Sequence, residues 1–210
     1  MNPMEWIEQN KIIVIMRGLE KQEALDAAEA MYKGGIRLIE VTFPKGESVE
    51  GTKETISALC EQFKGRICIG AGTVLSEEQL LAARDAGAEY IISPNTDVAI
   101  IKKTKELGLV SIPGALTPSE VVVADAAGAD FVKIFPVTAF GKNYIKQLAA
   151  PLAGVKLLAV GGVSAENMTD YLEQGAVGIG IGGNVVNKKM IQSGDWEGIT
   201  RAAWEYTEQL

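Results

Sequence analysis

Short apolar runs alternate with amphipathic stretches along the chain, and most of the amphipathic stretches end at a glycine. The glycines recur at intervals of 20 to 30 residues. They are Gly35, Gly65, Gly87, Gly108, Gly128, Gly154 and Gly175. Glycine at a helix C-cap adopts the left-handed conformation without a Cβ clash, so each of these positions predicts a helix end followed by a strand.

The apolar runs predict eight strands, with helices between them. The strands are expected at Ile12 to Arg17, Leu38 to Phe43, Ile67 to Val74, Tyr90 to Pro94, Val110 to Ala115, Phe131 to Pro136, Lys156 to Gly162 and Val177 to Gly183. Two helix starts carry capping signatures, Ser76 before Gln79 and Thr117 before Glu120. Such alternation is typical of an open doubly wound parallel sheet or of a closed barrel. Eight units in 210 residues favour the barrel, a (β/α)8 TIM barrel forming a single domain over residues 1–210.

The amino-acid composition limits which side chains could take part in catalysis. The chain contains no histidine, which removes the commonest general base and the commonest metal ligand together. Any catalysis must then use Lys, Glu, Asp, Thr, Tyr or the backbone. The two cysteines, Cys60 and Cys68, have no partner at metal-ligand spacing and are expected to be buried apolar fillers.

Charge and hydropathy limit the classes of binding partner that we expect for this protein. The formal net charge is −7, and the 20 basic residues are scattered along the sequence. We therefore expect no basic surface that binds nucleic acid. No stretch reaches the ~18 apolar residues of a membrane span. We therefore expect no membrane contact, a cytoplasmic location and a small-molecule substrate, which needs a locally positive pocket if it is anionic.

Two charged residues interrupt strands that are otherwise apolar. Lys133 lies between Val132 and Ile134, and if those two face the helices, Lys133 points into the barrel lumen. Desolvation disfavours the charged form of an amine and so favours the neutral nucleophile that attacks a carbonyl. Glu40 follows the same alternation in its own strand and could move protons beside that amine. The alternative is a structural ion pair between Glu40 and Lys133 or Arg17.

Other candidates stand at the carboxyl ends of predicted strands, where barrel enzymes place their sites. Arg17 offers a guanidinium fork for a carboxylate or phosphate, and a solvated strand end is the alternative. Thr73 offers a hydroxyl, and Pro94 is either a pocket wall or a plain strand stop. Two glycine pairs end the seventh and eighth strands and suggest a backbone N–H cradle for a phosphate. They are Gly161 with Gly162 and Gly182 with Gly183.

Six segments in this order resemble the KDPG/KHG aldolases, over about Ile12 to Asn184. The segments are Ile39-Glu40-Val41-Thr42, Gly70-Ala71-Gly72-Thr73-Val74, Ile92-Ser93-Pro94, Ile112-Pro113-Gly114, Val132-Lys133-Ile134-Phe135-Pro136 and Gly161-Gly162. The resemblance implies a class I aldolase that cleaves 2-keto-3-deoxy-6-phosphogluconate or 4-hydroxy-2-oxoglutarate. The products are pyruvate and glyceraldehyde 3-phosphate or glyoxylate. It also implies a homotrimer that needs no cofactor or metal.

By position, the resemblance assigns roles to individual residues. Lys133 matches the Schiff-base lysine and Glu40 the acid/base glutamate. Thr73, Pro94 and Phe135 match residues lining the pyruvate site. The phosphate end is matched by Gly161, Gly162, Gly182 and Gly183, with Asn184 beside them.

Three positions depart from the family pattern. Pro44 stands where some members have an arginine for the pyruvate carboxylate, so Arg17 is expected to take that role. Val160 replaces a common threonine, and Asn184 replaces a phosphate-binding serine. The phosphorylated gluconate substrate is therefore less well supported than the 2-keto acid half.

Two rival functions remain at this point. The first is a Mg2+-dependent 2-keto acid aldolase that uses carboxylates, which sensitivity to a chelator would reveal. The second is a phosphosugar-binding barrel without activity, which a pyruvate-release assay would reveal.

Overall fold

A parallel sheet of nine strands, nearly closed into a barrel, forms the centre of the fold in the computed structural model, which describes residues 2–210. The strands are β1 (Ile12–Met16), β2 (Leu38–Thr42), β3 (Cys68–Gly72), β4 (Tyr90–Ile92), β5 (Val110–Ile112), β6 (Gly114–Ala115), β7 (Val132–Ile134), β8 (Leu157–Val160) and β9 (Ala176–Ile181). Their order in the sheet is β5-β4-β3-β2-β1-β9-β8-β7-β6. Only Pro113 separates β5 from β6, so the two edges of the sheet meet there.

The predicted (β/α)8 barrel is confirmed, and the ninth strand is a division of the fifth. Each predicted apolar run overlaps a strand, and the run from Val110 to Ala115 contains both β5 and β6. Proline lacks the N–H that a ladder hydrogen bond requires, so Pro113 interrupts the strand. The Pro113 carbonyl still accepts a hydrogen bond of 2.9 Å from the Lys133 N–H, which ties this interruption to β7.

Ten α-helices surround the sheet or cover its ends. They are α1 (Pro3–Asn10), α2 (Lys21–Lys33), α3 (Glu50–Gln62), α4 (Glu77–Asp85), α5 (Val98–Glu106), α6 (Pro118–Ala126), α7 (Tyr144–Ala149), α8 (Met168–Glu173), α9 (Lys188–Ser193) and α10 (Trp196–Thr207) among the described residues. A 3-10 helix spans Val137–Phe140. All seven periodic glycines have positive φ. Ser76 and Thr117 cap α4 and α6, as their sequence signatures predict.

The strands separate two apolar layers. Val132 and Ile134 pack outward against the helices, whereas Phe131 belongs to a second cluster that fills the lumen. Other members of the lumen cluster lie near the amino ends of their strands, among them Leu38 and Tyr90. The floor of the barrel is therefore filled with apolar side chains, and a lumen-facing polar group above it is shielded from water from below.

Helix α1 plugs the amino end of the lumen, a feature that the predicted repeats did not include. Its Ile7 is fully buried in the lumen cluster. Asn2 caps the helix in a capping box with Glu5, and Pro3 occupies the first helical position. Of the predicted domain 1–210, Met1 lies outside the described residues. No helix within residues 2–210 is both long enough and apolar enough to cross a membrane.

Candidate active site

Lys133 and Glu40 both point into the lumen from strands on different sides of the barrel. Only 7% of Lys133 and 2% of Glu40 are exposed. No carboxylate oxygen among residues 2–210 lies within ion-pair distance of the Lys133 ammonium. The ring centroid of Phe135 lies 5.0 Å from Lys133 Nζ. Lys133 and Glu40 thus both face the lumen, as the strand alternation predicted. They do not form an ion pair with each other.

Strand β3 leaves room for the Glu40 carboxylate because it has glycine where its neighbours have side chains. A Cβ at Gly72 would overlap Glu40 Oε1, and one at Gly70 would overlap the Tyr90 ring. The glycines thus admit the side chains of Glu40 and Tyr90 into the lumen. Burial raises the pKa of the Glu40 carboxyl above its usual value, and the positive charges of Lys133 and Arg17 partly offset this rise.

A cavity of about 740 Å³ opens above this pair at the carboxyl ends of the strands. Every predicted site residue except Glu40 lines it, and Glu40 lies beneath, in the lumen. The lining residues predicted from sequence are Arg17, Thr73, Pro94, Lys133, Phe135, Gly161, Gly162, Gly182, Gly183 and Asn184. The volume is in the range typical of small-molecule sites.

Thr73 has a backbone conformation that is unusual for its side chain. Its φ is 57°, a left-handed value that is rare for a β-branched residue. The neighbouring backbone is held in place, because the Ser93 hydroxyl donates to the Val74 carbonyl at 2.7 Å and the Val74 N–H donates to the Ile92 carbonyl at 3.2 Å. A strained residue held by its surroundings is typical of a functional site.

Lys45 is a cavity residue that the sequence reasoning missed. It lines the same cavity as Arg17, and each follows the carboxyl end of its strand, β2 and β1 respectively. Neither side chain forms an ion pair among the described residues. The available signal was a basic residue in the loop after the second predicted strand, one position beyond Pro44.

Local geometry explains the first glycine pair without any ligand. Gly161 and Gly162 have φ values of 91° and 83°. A Cβ on Gly161 would meet Phe135 at 3.0 Å, and one on Gly162 would crowd the Thr138 side chain. These two glycines therefore allow the turn after β8 to pass close to the segment after β7.

The second glycine pair is open to the cavity. A Cβ on Gly182 would come no closer than 3.7 Å to a neighbour, and one on Gly183 would meet nothing within 4 Å. Asn184 beside them has its amide nitrogen engaged, because Nδ2 donates to the Val163 carbonyl at 3.2 Å and to the Tyr206 hydroxyl at 3.0 Å. Two acceptors use both N–H groups, so Asn184 presents only its carbonyl oxygen as a further partner.

The fold and this site define a class of protein, a (β/α)8-barrel with a buried lysine and a buried carboxylate under a cavity at the carboxyl ends of its strands. The family model described as KDPG and KHG aldolase matches residues 4–202. The chain belongs to this family, and it is therefore an aldolase, a carbon–carbon lyase.

Known relatives cover most of the chain. A 2-dehydro-3-deoxy-6-phosphogalactonate aldolase of Escherichia coli K12 is 34% identical, over 87% of this chain and 87% of that protein. A KHG/KDPG aldolase of the same strain is 33% identical, over 93% and 89%. A solved KDPG aldolase from Legionella pneumophila has a TM-score of 0.86 and 27% identity, over 97% of each chain. That structure holds pyruvate captured at low pH as a covalent carbinolamine intermediate.

Proposed function

We propose that the chain cleaves a 2-keto-4-hydroxy acid to pyruvate and an aldehyde through a Schiff base on Lys133. The observation that carries the proposal is the buried amine of Lys133 opening onto the cavity, with the Glu40 carboxyl buried below it. The relatives named for 2-dehydro-3-deoxy-6-phosphogalactonate and for KHG/KDPG suggest the substrates. These are 2-keto-3-deoxy-6-phospho sugar acids and 4-hydroxy-2-oxoglutarate.

The reaction begins when the unprotonated Lys133 amine attacks the C2 carbonyl, and loss of water then gives an iminium. The C3–C4 bond breaks with its electron pair moving to the iminium, while Glu40 takes the proton of the C4 hydroxyl and the aldehyde leaves. Protonation of the enamine at C3 and hydrolysis by water release pyruvate and free Lys133. Because burial raises its pKa, Glu40 can hold a proton between these steps.

The floor of the lumen supports this chemistry. Apolar residues and α1 close the barrel below Glu40, and the cavity opens on the opposite side of the pair. A dry site strengthens the electrostatic interactions that stabilise developing charge and protects the enamine from stray protons. Phe135 and Pro94 line the cavity beside Lys133 and serve as its apolar wall.

A substrate panel tests the proposed function. Pyruvate release is measured with 2-keto-3-deoxy-6-phosphogluconate, its 6-phosphogalactonate epimer at C4 and 4-hydroxy-2-oxoglutarate, with and without a chelator. We expect release from at least one compound at a rate that the chelator does not change. Release that stops with the chelator would instead support the Mg2+-dependent alternative, and no release from any compound supports the binding-only alternative.

We propose that Arg17, Lys45 and Thr73 hold the pyruvate carboxylate. Two cations that have no ion-pair partner within residues 2–210 and a strained threonine follow three neighbouring strands, β1, β2 and β3, around one side of the cavity. Charge-assisted hydrogen bonds to a carboxylate are strong, and two cations compensate for the arginine absent at Pro44.

Removing either cation should weaken pyruvate binding more than it slows the chemical steps. In the aldol direction, Arg17→Ala and Lys45→Ala should each raise the KM for pyruvate by about tenfold, with a smaller change in kcat. The matched control is Lys64→Ala, which changes an exposed lysine in the turn after α3. Reductive labelling with acetone, which lacks the carboxylate, should be equal in all four proteins. A KM that both cavity variants leave unchanged contradicts the assignment.

We further propose a homotrimer in the cytoplasm. Leu75, Val98, Val122 and Val123 are exposed apolar side chains on or beside α4, α5 and α6, which pack side by side. Such a surface is typical of a protein–protein contact. Light scattering should give three chains per particle, and Val122→Glu should give a smaller particle.

The free thiols of Cys60 and Cys68 fit a reducing compartment.

A further inference from the structure

Tyr90 carries a buried hydroxyl that the proposed reaction does not use. Its side chain is fully buried in the lumen cluster, and the hydroxyl has no hydrogen-bond partner within residues 2–210. A phenylalanine would fill the same space without the polar atom. Because a buried hydroxyl without a partner costs free energy, its presence in an otherwise apolar floor points to a functional role.

The strand register places Tyr90 and Glu40 on either side of Gly70. This glycine on β3 is the register partner of Glu40 on β2 and of Tyr90 on β4. Neighbouring strands lie about 4.8 Å apart, so the Cα atoms of Glu40 and Tyr90 are about 10 Å apart across the glycine. Because Gly70 has no side chain, the Tyr90 ring extends over it from one side. Glu40 enters the same part of the lumen from the other side.

The titratable groups around Tyr90 leave Glu40 as the anion that its hydroxyl can serve. Burial raises the pKa of Tyr90 well above its usual value, and negative charge on Cys68 and on Glu40 raises it further, so the phenol keeps its proton. Burial also raises the pKa of the Cys68 thiol, which therefore stays neutral. Charges on Glu89 and Cys60 affect Tyr90 less than the charge on Glu40 does.

We propose that Tyr90 is a positioning residue for Glu40, and that its hydroxyl donates a hydrogen bond to the Glu40 carboxylate when that group is ionised. This inference rests on the proposed function, in which Glu40 takes the proton of the C4 hydroxyl. The carboxyl group lies over Gly72, the next lumen-facing position along β3, so the bond forms when it turns back toward Gly70. A donor of this kind favours the ionised carboxylate that acts as the base.

The pH dependence of pyruvate release tests the proposal. Tyr90→Phe removes only the hydroxyl, and Tyr171→Phe, at a buried tyrosine on α8, is the matched control. In Tyr90→Phe the acid limb of the kcat profile should move up by about one pH unit, because the carboxylate loses a donor. Glu40→Gln identifies this limb, since that variant should lack it. Lys133 and Arg17, whose charges also face Glu40, are kept in both tyrosine variants.

Stability reports the same coupling without turnover. Loss of the donor raises the folded-state pKa of Glu40 further above 4.5, so more stability is lost as the pH rises through that folded-state pKa. Above it, Glu40→Gln should stabilise Tyr90→Phe more than it stabilises the wild type, by about tenfold in the unfolding constant. Urea unfolding of the four proteins at several pH values measures the difference. Glu89→Gln should stabilise both backgrounds equally.

Two results overturn the proposal. One is a kcat profile of Tyr90→Phe that coincides with that of Tyr171→Phe, and the other is a coupling of Tyr90 to Glu89 as large as its coupling to Glu40. Failure of the proposed function has a different signature, because wild-type protein would then release no pyruvate and take no borohydride label. The unfolding measurements would still show whether Tyr90 and Glu40 are coupled.

Discussion

Replacing Lys133 by alanine is expected to lower pyruvate release by about 10⁴-fold or more, because the covalent intermediate can no longer form. Lys133→Met, which keeps an unbranched side chain in the buried position, should be equally inactive and should remain folded. Lys102→Ala, on the exposed face of α5, is the control and should keep full activity. The measurement is the rate of pyruvate formation from the best substrate of the panel, with circular dichroism to verify folding.

Activity in the Lys133 variants distinguishes a structural role of this buried lysine from a catalytic one. A lysine that only stabilises the lumen would affect the melting temperature and leave kcat within a small factor of the wild type. A Schiff-base lysine gives the opposite result, a folded protein without turnover. Full activity in Lys133→Met contradicts it.

Replacing Glu40 by glutamine is the second large change. We expect kcat to fall by about 10²–10⁴-fold, the usual contribution of a positioned general acid–base. Lys133 should still be labelled by pyruvate and borohydride in this variant, though slowly, since the amine remains. Glu61→Gln, an exposed change on α3, is the matched control. A kcat within twofold of the wild type would show that Glu40 moves no proton in the slow step.

The same variant has a pH signature in stability. The folded-state pKa of Glu40 is raised above 4.5 by burial, so the stability it contributes is present below that pH and is lost as the pH rises through the folded-state pKa. The free energy of unfolding of Glu40→Gln should therefore exceed that of the wild type by an amount that grows above pH 4.5. Urea unfolding at several pH values measures it. A difference that shrinks as the pH rises contradicts the direction of the shift.

The sequence predicted the barrel well because one physical signal was repeated. Each unit has an apolar strand, an amphipathic helix and a glycine. The glycine is explained by the left-handed backbone conformation at the end of the helix. The effect of Pro113 could not be predicted in the same way. Whether a proline ends a strand or only interrupts it depends on hydrogen bonds to neighbouring strands, which the sequence alone does not specify. Helix α1 was not predicted because it precedes the first strand and has no periodic glycine at its end, although Asn2, Pro3 and Glu5 form a capping signal.

Within the site, strand alternation was sufficient to place Lys133 and Glu40 together in the lumen. It could not show that Glu40 lies over Gly72, because that depends on the side-chain direction across neighbouring strands. Lys45 was missed since it lies in a loop, where no periodicity fixes the direction of a side chain. The engaged amide of Asn184 was likewise out of reach, because Tyr206 lies 22 residues away in sequence.

The most direct test of the central claim is reduction of the wild-type protein by borohydride in the presence of pyruvate, followed by mass spectrometry of its peptides. We expect one three-carbon adduct per chain, located on Lys133, and none when pyruvate is omitted. An adduct on another lysine, or no adduct in protein that releases pyruvate, would contradict it.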